Sequence, residues 1–149
     1  MIEIYIDADA CPVKDETLKV SYRHDLTVHL VSNQWLRMEV GPKVNKVVVS
    51  DGFDAADDWI AERAGSHDIV ITNDILLAAR CLEGGASVLG ANGKPFSSDN
   101  IGMAVAMREL NRDLRDMGEI KGSGKTFGKD DRSRFLSSLE DTVQRLKRS

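Results

Sequence analysis

The sequence predicts an α/β fold built on a mostly parallel central sheet. Short apolar segments alternate with amphipathic segments of helical length, which is typical of parallel strands joined by right-handed crossover helices. The chain opens directly on a strand, because Ile2, Ile4 and Ile6 form a β-branched apolar run at its beginning. A length of 149 residues, with 42% hydrophobic and 30% charged residues, suits one globular domain. A single domain over residues 1–149 is therefore expected.

Five strands are predicted from short apolar runs that are bounded by polar or turn-forming residues. These runs cover residues 2–6, 26–32, 44–49, 68–72 and 86–89. The helices predicted between them cover residues 13–23, 53–64 and 75–82. Gly84 and Gly85 end the last of these helices.

The pattern changes after the fifth strand. Residues 92–95 predict a turn, and Ser98 or Asp99 is suited to cap a further helix. The apolar residues of that helix are Ile101, Val105, Leu110, Leu114 and Met117.

Residues 121–149 form a basic arm, made of a Gly-rich loop over residues 121–129 and a last helix that begins at Asp130 or Asp131. The helix carries one apolar face and is expected to dock on the body; that face is Phe135, Leu139, Val143 and Leu146. The arm has eight Lys and Arg against four Asp and Glu, whereas residues 1–120 have twelve against twenty. An acidic body with a basic arm suits a metal site beside a segment that binds polyanions, although solvated helix charges explain the arm equally well.

Composition also bounds the location and chemistry of the protein. No apolar run reaches the ~20 residues of a membrane span, and no basic and apolar leader precedes the first strand, so a cytoplasmic protein without a membrane partner is expected. Cys11 and Cys81 lack metal-ligand spacing, which supports neither a zinc site nor a disulfide framework.

Carboxylates follow three of the first four strands, and an amide, Asn33, follows the other. The carboxylates are Asp7 and Asp9, then Asp51 with Asp54 and Asp57, then Asp74. Because parallel strands end at one edge of a sheet, these groups are expected to converge and to repel one another unless divalent cations lie among them. Hard cations such as Mg²⁺ and Mn²⁺ take oxygen ligands, and a pair of them clamps a phosphodiester for attack by water. Helix capping explains each acid singly, but not why every acidic group follows a strand.

Two segments carry a resemblance to known proteins. Residues 57–64 followed by residues 69–74 resemble the PIN-domain pattern, in which a helix led by aspartate precedes a strand ending in Thr-Asn-Asp. Over nearly its full length the chain resembles the YaiI/YqxD family. The matching stretches are residues 7–12, 33–34, 52–57, 71–74, 107–110 and 131–135.

The resemblance implies a PIN-like three-layer sandwich and a metal-dependent nuclease acting on RNA or DNA, with RNA as the expected partner. Asp7, Asp57 and Asp74 would be the ligands of Mg²⁺ or Mn²⁺, while Asp9 and Asp54 would assist. The expected substrate contacts are Asn33, Asn73, Lys125 and Lys129.

Two other functions fit the same residues. In a haloacid-dehalogenase-like phosphatase, Asp7 would be the covalent nucleophile and Asp9 the acid, but the chain from Asp9 leads straight into a helix and leaves no room for the flap of that fold. A non-catalytic metal-binding or RNA-binding module is the third interpretation.

The remaining reactive or aromatic side chains are interpreted as structural. Cys11 is expected to be a packed small residue, and His29 to be structural within its strand. Trp35 and Trp59 are expected to pack in the core or in an interface rather than to stack on bases.

Overall fold

The structure, a computed structural model, describes residues 2–50, 52, 54–97, 100–103, 106–107 and 127–148. The strands within these residues are β1 (Glu3–Asp7), β2 (Thr27–Ser32), β3 (Val44–Val48), β4 (Ile69–Ile71), β5 (Ser87–Leu89) and β6 (Pro95–Phe96). The helices are α1 (Lys14–His24), α2 (Ala55–Arg63), α3 (Ile75–Glu83) and α4 (Lys129–Arg148), with a 3₁₀ turn at Ala8–Ala10. Residues 100–103 and 106–107 are also helical.

The six strands form one sheet in the order β3-β2-β1-β4-β5-β6. The first five are mutually parallel, as predicted, and β6 pairs antiparallel with β5. The predicted turn at residues 92–95 is followed immediately by β6, a strand of two residues that is too short to leave a periodic pattern in the sequence. The chain order reverses between β1 and β4, so the carboxyl ends of these two strands mark the topological switch point where open α/β sheets bind ligands.

Helices cover both faces of the sheet, which gives three layers. Ile4 and Ile6 of β1 point into a core shared with α1 and α4, while Tyr5 points into a second core shared with α2 and α3. This alternation follows from the two-residue period of a strand. It explains why Ile4, Tyr5 and Ile6 are apolar at consecutive positions and not only at every second one.

The last helix docks on the body as its apolar stripe predicts. Phe135, Leu139 and Val143 are fully buried in the core shared with α1. An ion pair near each end of α1 holds it alongside α4. Glu16 of α1 lies 2.8 Å from Arg132, and Arg23 of α1 lies 2.7 Å from Glu140. The N-terminus of α4 therefore lies on the same edge of the sheet as the start of α1.

Several expected features fall outside the described residues. They are the caps Ser98 and Asp99, the apolar residues Val105, Leu110, Leu114 and Met117, the carboxylate Asp51, and the loop residues 121–126 with Lys125. Within the described ranges, no helix has the length and apolarity needed to cross a membrane.

The buried stripe of α4 gives a first testable prediction. Phe135→Ala should lower the free energy of unfolding by about 3–5 kcal/mol, because the lost ring leaves a cavity in a fully buried position. Ser137→Ala is exposed on the same helix and serves as the control, with an expected change within about 0.5 kcal/mol. Urea unfolding followed by circular dichroism measures both, and equal midpoints would contradict the docking of α4.

Candidate functional site at the carboxyl edge of the sheet

Asp7 and Asp74 meet at the switch point through Thr72. Asp7 ends β1, and its Oδ2 accepts a hydrogen bond of 3.0 Å from the hydroxyl of Thr72, which follows β4. The same hydroxyl oxygen accepts a 3.0 Å hydrogen bond from the backbone N–H of Asp74. One threonine therefore links the end of the central strand to the start of α3.

Asp74 is the N-cap of α3, so the capping interpretation of this residue is confirmed. Its Oδ1 accepts from the backbone N–H groups of Leu76 at 2.9 Å and Leu77 at 3.3 Å. Both capping bonds reach the same oxygen. Capping therefore occupies one oxygen of the carboxylate, and no described residue donates a hydrogen bond to Oδ2.

Asp9 anchors the end of β2. Its carboxylate lies 2.7 Å from the Ser32 hydroxyl and accepts two bonds of 3.1 Å from the backbone N–H of Asn33. The side-chain amide of Asn33 in turn donates to the carbonyl oxygen of Ser50, 2.8 Å away, just beyond β3. Asp9 and Asn33 thus tie the ends of β1, β2 and β3 together, and most of the bonding capacity of Asp9 is already used.

The start of α2 supplies the remaining carboxylates. Asp54 precedes the helix without making a side-chain capping bond, and Asp57 lies in its first turn. The neighbouring Asp58 instead pairs with Arg80 of α3, 2.8 Å away. Asp54 and Asp57 are therefore available to the space above the sheet edge.

These elements enclose one acidic cleft of about 470 Å³. Its lining includes five of the carboxylates expected from the sequence together with one expected amide: Asp7, Asp9, Asp54, Asp57, Asp74 and Asn33. The structure thus brings together all five predicted catalytic residues. Asn73 faces a smaller adjoining cavity of about 180 Å³ instead, and its Oδ1 is held by the backbone N–H of Ala91 at 2.9 Å. Lys129 begins α4 and does not line the cleft.

Burial and mutual repulsion make the cleft electrostatically costly. Burial, followed by the charges of Asp74 and Asp7, raises the pKa of Asp57 from 3.8 to about 6, with Arg80 acting in the opposite direction. Burial also raises the pKa of Asp7, although the hydrogen bond from Thr72 opposes that shift. Two carboxylates of the cleft are therefore held where their ionised forms are disfavoured.

Five residues of the lining were not predicted as site residues, namely Gly52, Ala56, Leu76, Leu77 and Arg80. Two of them add a charge or an exposed apolar surface. Arg80 brings a positive charge to the lining, and Leu76 contributes an apolar side chain that is 49% exposed. Both lie on α3, one turn apart, in a helix whose sequence pattern indicates only an amphipathic element. The signal in the sequence was their spacing. Leu76 and Arg80 are four residues apart, which places them on one face of α3.

The cleft fits a hard divalent cation by the chemistry of its donors. Carboxylate oxygens are the ligands that Mg²⁺ and Mn²⁺ prefer, and burial with the neighbouring carboxylates disfavours the charged forms of Asp7 and Asp57, which a cation would stabilise. Among the described residues, no three His, Cys, Asp or Glu side chains already stand in a metal-binding arrangement. Mg²⁺ usually keeps several waters and uses one or two carboxylates, so a closed protein cage is not required.

A larger groove of about 630 Å³ lies between α4 and the strands β5 and β6. Its charged side chains are Asp141 and Arg145, and the Arg145 guanidinium donates to the Ser87 hydroxyl at 2.9 Å. This groove lacks a concentration of like charges, so size alone does not make it the functional site.

The expectations for the other side chains have mixed outcomes. Cys11 is buried and free, and His29 stacks on Tyr5 with 4.7 Å between ring centroids, so both are packed as predicted. Trp59 packs partly against the core beneath α2. Trp35 is 65% exposed and does not pack in the core, so of the two predicted roles only packing in an interface stays a prediction. It lies on the loop after β2, where Leu36, Met38 and Val40 pack against the core instead.

The parallel sheet and the acidic cleft define an α/β protein with a polyanionic site at its switch point. The chain belongs to the YaiI/YqxD family, since the family model described as "Uncharacterized BCR, YaiI/YqxD family" matches residues 5–145. The chain is 64% identical over 148 residues to a UPF0178 protein of Parvibaculum lavamentivorans, covering 99% of this chain and 97% of that protein. It is 50% identical over 148 residues to a UPF0178 protein of Nitrobacter winogradskyi, covering 99% and 94%. No solved structure matches the chain.

The raised pKa of Asp57 predicts a pH-dependent stability. In the absence of divalent metal, the native state binds the proton of Asp57 more tightly than the unfolded state, so the contribution of Asp57 to stability is full below pH 3.8 and falls as the pH rises through about 6. Asp57→Asn should remove this fall and raise the stability at pH 7.5 by about 1–2 kcal/mol, which is the full value of the shift reduced for solvent screening and for the lost helix-dipole interaction.

The matched control is Asp58→Asn on the same helix turn. It removes a carboxylate that is paired with Arg80, and it should leave the fall with pH in place. Thermal unfolding between pH 4 and pH 8 in EDTA measures both variants. If the wild-type protein and the Asp57→Asn variant have parallel pH profiles, ionisation of Asp57 does not cost the native state any stability.

Proposed function

We propose that this protein is a cytoplasmic, divalent-metal-dependent nuclease that hydrolyses phosphodiester bonds in RNA or DNA. The observation that carries the proposal is the convergence of carboxylates from three separate elements, β1, α2 and the α3 N-cap, in one cleft at the switch point. The resemblance of residues 57–64 and 69–74 to the PIN-domain pattern supports the same reaction.

Asp7, Asp57 and Asp74 would hold Mg²⁺ or Mn²⁺, and the ion would supply charge neutralisation at the scissile phosphate and an activated water. Asp7 and Asp57 suit this role because burial and the neighbouring carboxylates disfavour their charged forms, which a bound cation would stabilise. Asp74 offers the carboxylate oxygen that its capping bonds leave unused. Thr72 fixes the orientation of Asp7, and Asp9 fixes the wall of the cleft at Asn33.

Arg80 is suited to contact the substrate phosphate. It lines the cleft, its side chain is 46% exposed, and the side chain of its partner Asp58 is 54% exposed. An exposed ion pair of this kind is worth little, so exchanging Asp58 for a phosphate oxygen would cost little. A bidentate guanidinium–phosphate contact would then orient the diester against the carboxylates.

The phosphatase alternative has less support. Only Cys11–Val13 separate the 3₁₀ turn at Ala8–Ala10 from α1, so the segment after Asp9 is a tight connection. Moreover, the carboxylate of Asp9 accepts hydrogen bonds from Ser32 and Asn33, which hold it against the end of β2. The non-catalytic alternative keeps the metal or nucleic-acid site and predicts binding without hydrolysis.

The metal site gives a prediction about stability. Millimolar Mn²⁺ or Mg²⁺ should raise the melting temperature of the wild type, because a ligand of the native state stabilises it by linkage. Asp7→Asn and Asp74→Asn should abolish that rise while increasing the melting temperature in EDTA, since each relieves repulsion. Asn at position 74 can still cap α3.

Asp130→Asn, exposed on α4, is the matched control and should respond to metal as the wild type does. Differential scanning fluorimetry with and without metal gives the comparison, and isothermal titration calorimetry gives the affinity. Calorimetry that detects no binding at millimolar metal would contradict the site.

The reaction gives a second prediction. With Mg²⁺ or Mn²⁺, the protein should cleave an end-labelled oligonucleotide and turn over p-nitrophenyl phosphate poorly, with no phosphorylated Asp7 in mass spectra. Thr72→Val should lower the cleavage rate by about 10–100-fold, because Asp7 loses the hydrogen bond that orients it. Rapid turnover of the monoester with phosphate on Asp7 would favour the phosphatase, and metal binding without cleavage would favour the non-catalytic module.

A further inference from the structure

Trp35 is an exposed indole with a cation beside it. Its residue is 65% exposed, and the ammonium group of Lys46 lies 4.9 Å from the ring centroid. Lys46 belongs to β3, the edge strand of the sheet. Lysine on an edge strand is commonly explained as protection against pairing with another sheet, but that explanation does not account for a large apolar ring on the same surface.

The loop that carries Trp35 is held firmly against the acidic cleft. Asn33, two residues before Trp35, lines the cleft, and its backbone N–H donates to both carboxylate oxygens of Asp9. The backbone N–H of Gln34 donates to the Ser32 hydroxyl at 3.0 Å. Trp35 is therefore carried by a segment that is fixed at the cleft through Asn33, and its own ring lies outside the lining of the cleft.

The charges around Trp35 complement a phosphate backbone. The cleft is rich in carboxylates, whereas the surface outside it at Trp35 carries Lys46 and the exposed Arg37. A polyanion that enters the cleft needs cationic contacts outside it, and an indole face offers stacking to any base.

We propose that Trp35 and Lys46 form a stacking platform for one base of a single-stranded nucleic acid, adjacent to the acidic cleft. This inference rests on the proposed function and specifies its substrate class as single-stranded nucleic acid. Bases in a duplex are already stacked on one another, so they cannot also stack on the indole ring. The indole stacks on the base, while Lys46 and Arg37 contact the phosphates on either side of it. A strand positioned in this way passes the cleft edge at Asn33.

The test uses the fact that the chain has two tryptophans. In a Trp59→Phe background Trp35 is the sole indole, and its fluorescence is titrated with oligo-U, oligo-dT, an abasic strand of equal length and a duplex. All titrations are made in EDTA, so hydrolysis has no part in the signal. Saturable quenching by the base-bearing single strands, with little quenching by the abasic strand or the duplex, is the expected result. Oligo-U and oligo-dT differ in the 2′-hydroxyl and separate RNA from DNA preference.

Variants assign the binding energy. Measured by fluorescence anisotropy of a labelled strand, Trp35→Ala should weaken binding by about tenfold, Trp35→Phe by less because a ring remains, and Trp59→Phe should leave binding unchanged. Lys46→Gln should reduce the slope of log affinity against log salt by about 0.7. Equal affinities for wild type and Trp35→Ala, or equal quenching by the abasic strand, would overturn the platform.

Failure of the platform is distinguishable from failure of the nuclease. Asp7→Asn should still show Trp35 quenching although it cleaves nothing. Quenching without cleavage by the wild type supports the platform and contradicts the nuclease. Cleavage by the wild type without quenching or a Trp35→Ala effect overturns the platform and leaves the nuclease standing.

Discussion

The hydrogen bond from Thr72 to Asp7 joins the ends of β1 and β4, the two strands between which the chain order reverses. The arrangement of the cleft depends on this bond. Asp7 must end the central strand β1, where burial and neighbouring carboxylates disfavour its charge. Thr72 offsets part of that cost and also receives the N–H of Asp74, so both carboxylates are oriented by one hydroxyl. A protein that gained nothing from this charge would be more stable with an amide there. The electrostatic cost of an ionised Asp7 at this position is the physical argument for a cationic ligand.

Much of the fold and of the cleft is predictable, because the ends of buried strands can be recognised in a sequence. The apolar runs before Asp7 and before Thr72 have the length and β-branched content of buried strands, and parallel order places their ends together. The meeting of Asp7 and Asp74 follows from that order, whereas Asp54 and Asp57 reach the cleft because α2 begins beside it. The docking of α4 is equally legible, because Phe135, Leu139 and Val143 recur at helical spacing.

The residues that sequence reasoning missed are those whose role is set by tertiary neighbours. Arg80 looks like any charged residue on an amphipathic helix until α2 places Asp58 and the cleft beside it. Trp35 is a large apolar residue of the kind that usually packs in a core, but in the loop after β2 the core contacts are made by Leu36, Met38 and Val40, and Trp35 is left exposed. Asn73 follows β4 as expected, but the backbone of Ala91 captures its side chain and turns it from the cleft.

The most direct test of the central claim is the position of the metal. Crystals grown without divalent ions and then soaked in Mn²⁺ would be measured near the manganese absorption edge, and the anomalous difference map would locate the ion. If Asp7, Asp57 and Asp74 bind the metal, the map will show a peak in the acidic cleft within coordination distance of their carboxylates, and no such peak in crystals of Asp7→Asn. A saturating soak that leaves the cleft without an anomalous peak, or that places manganese elsewhere on the wild-type protein, would contradict this metal site.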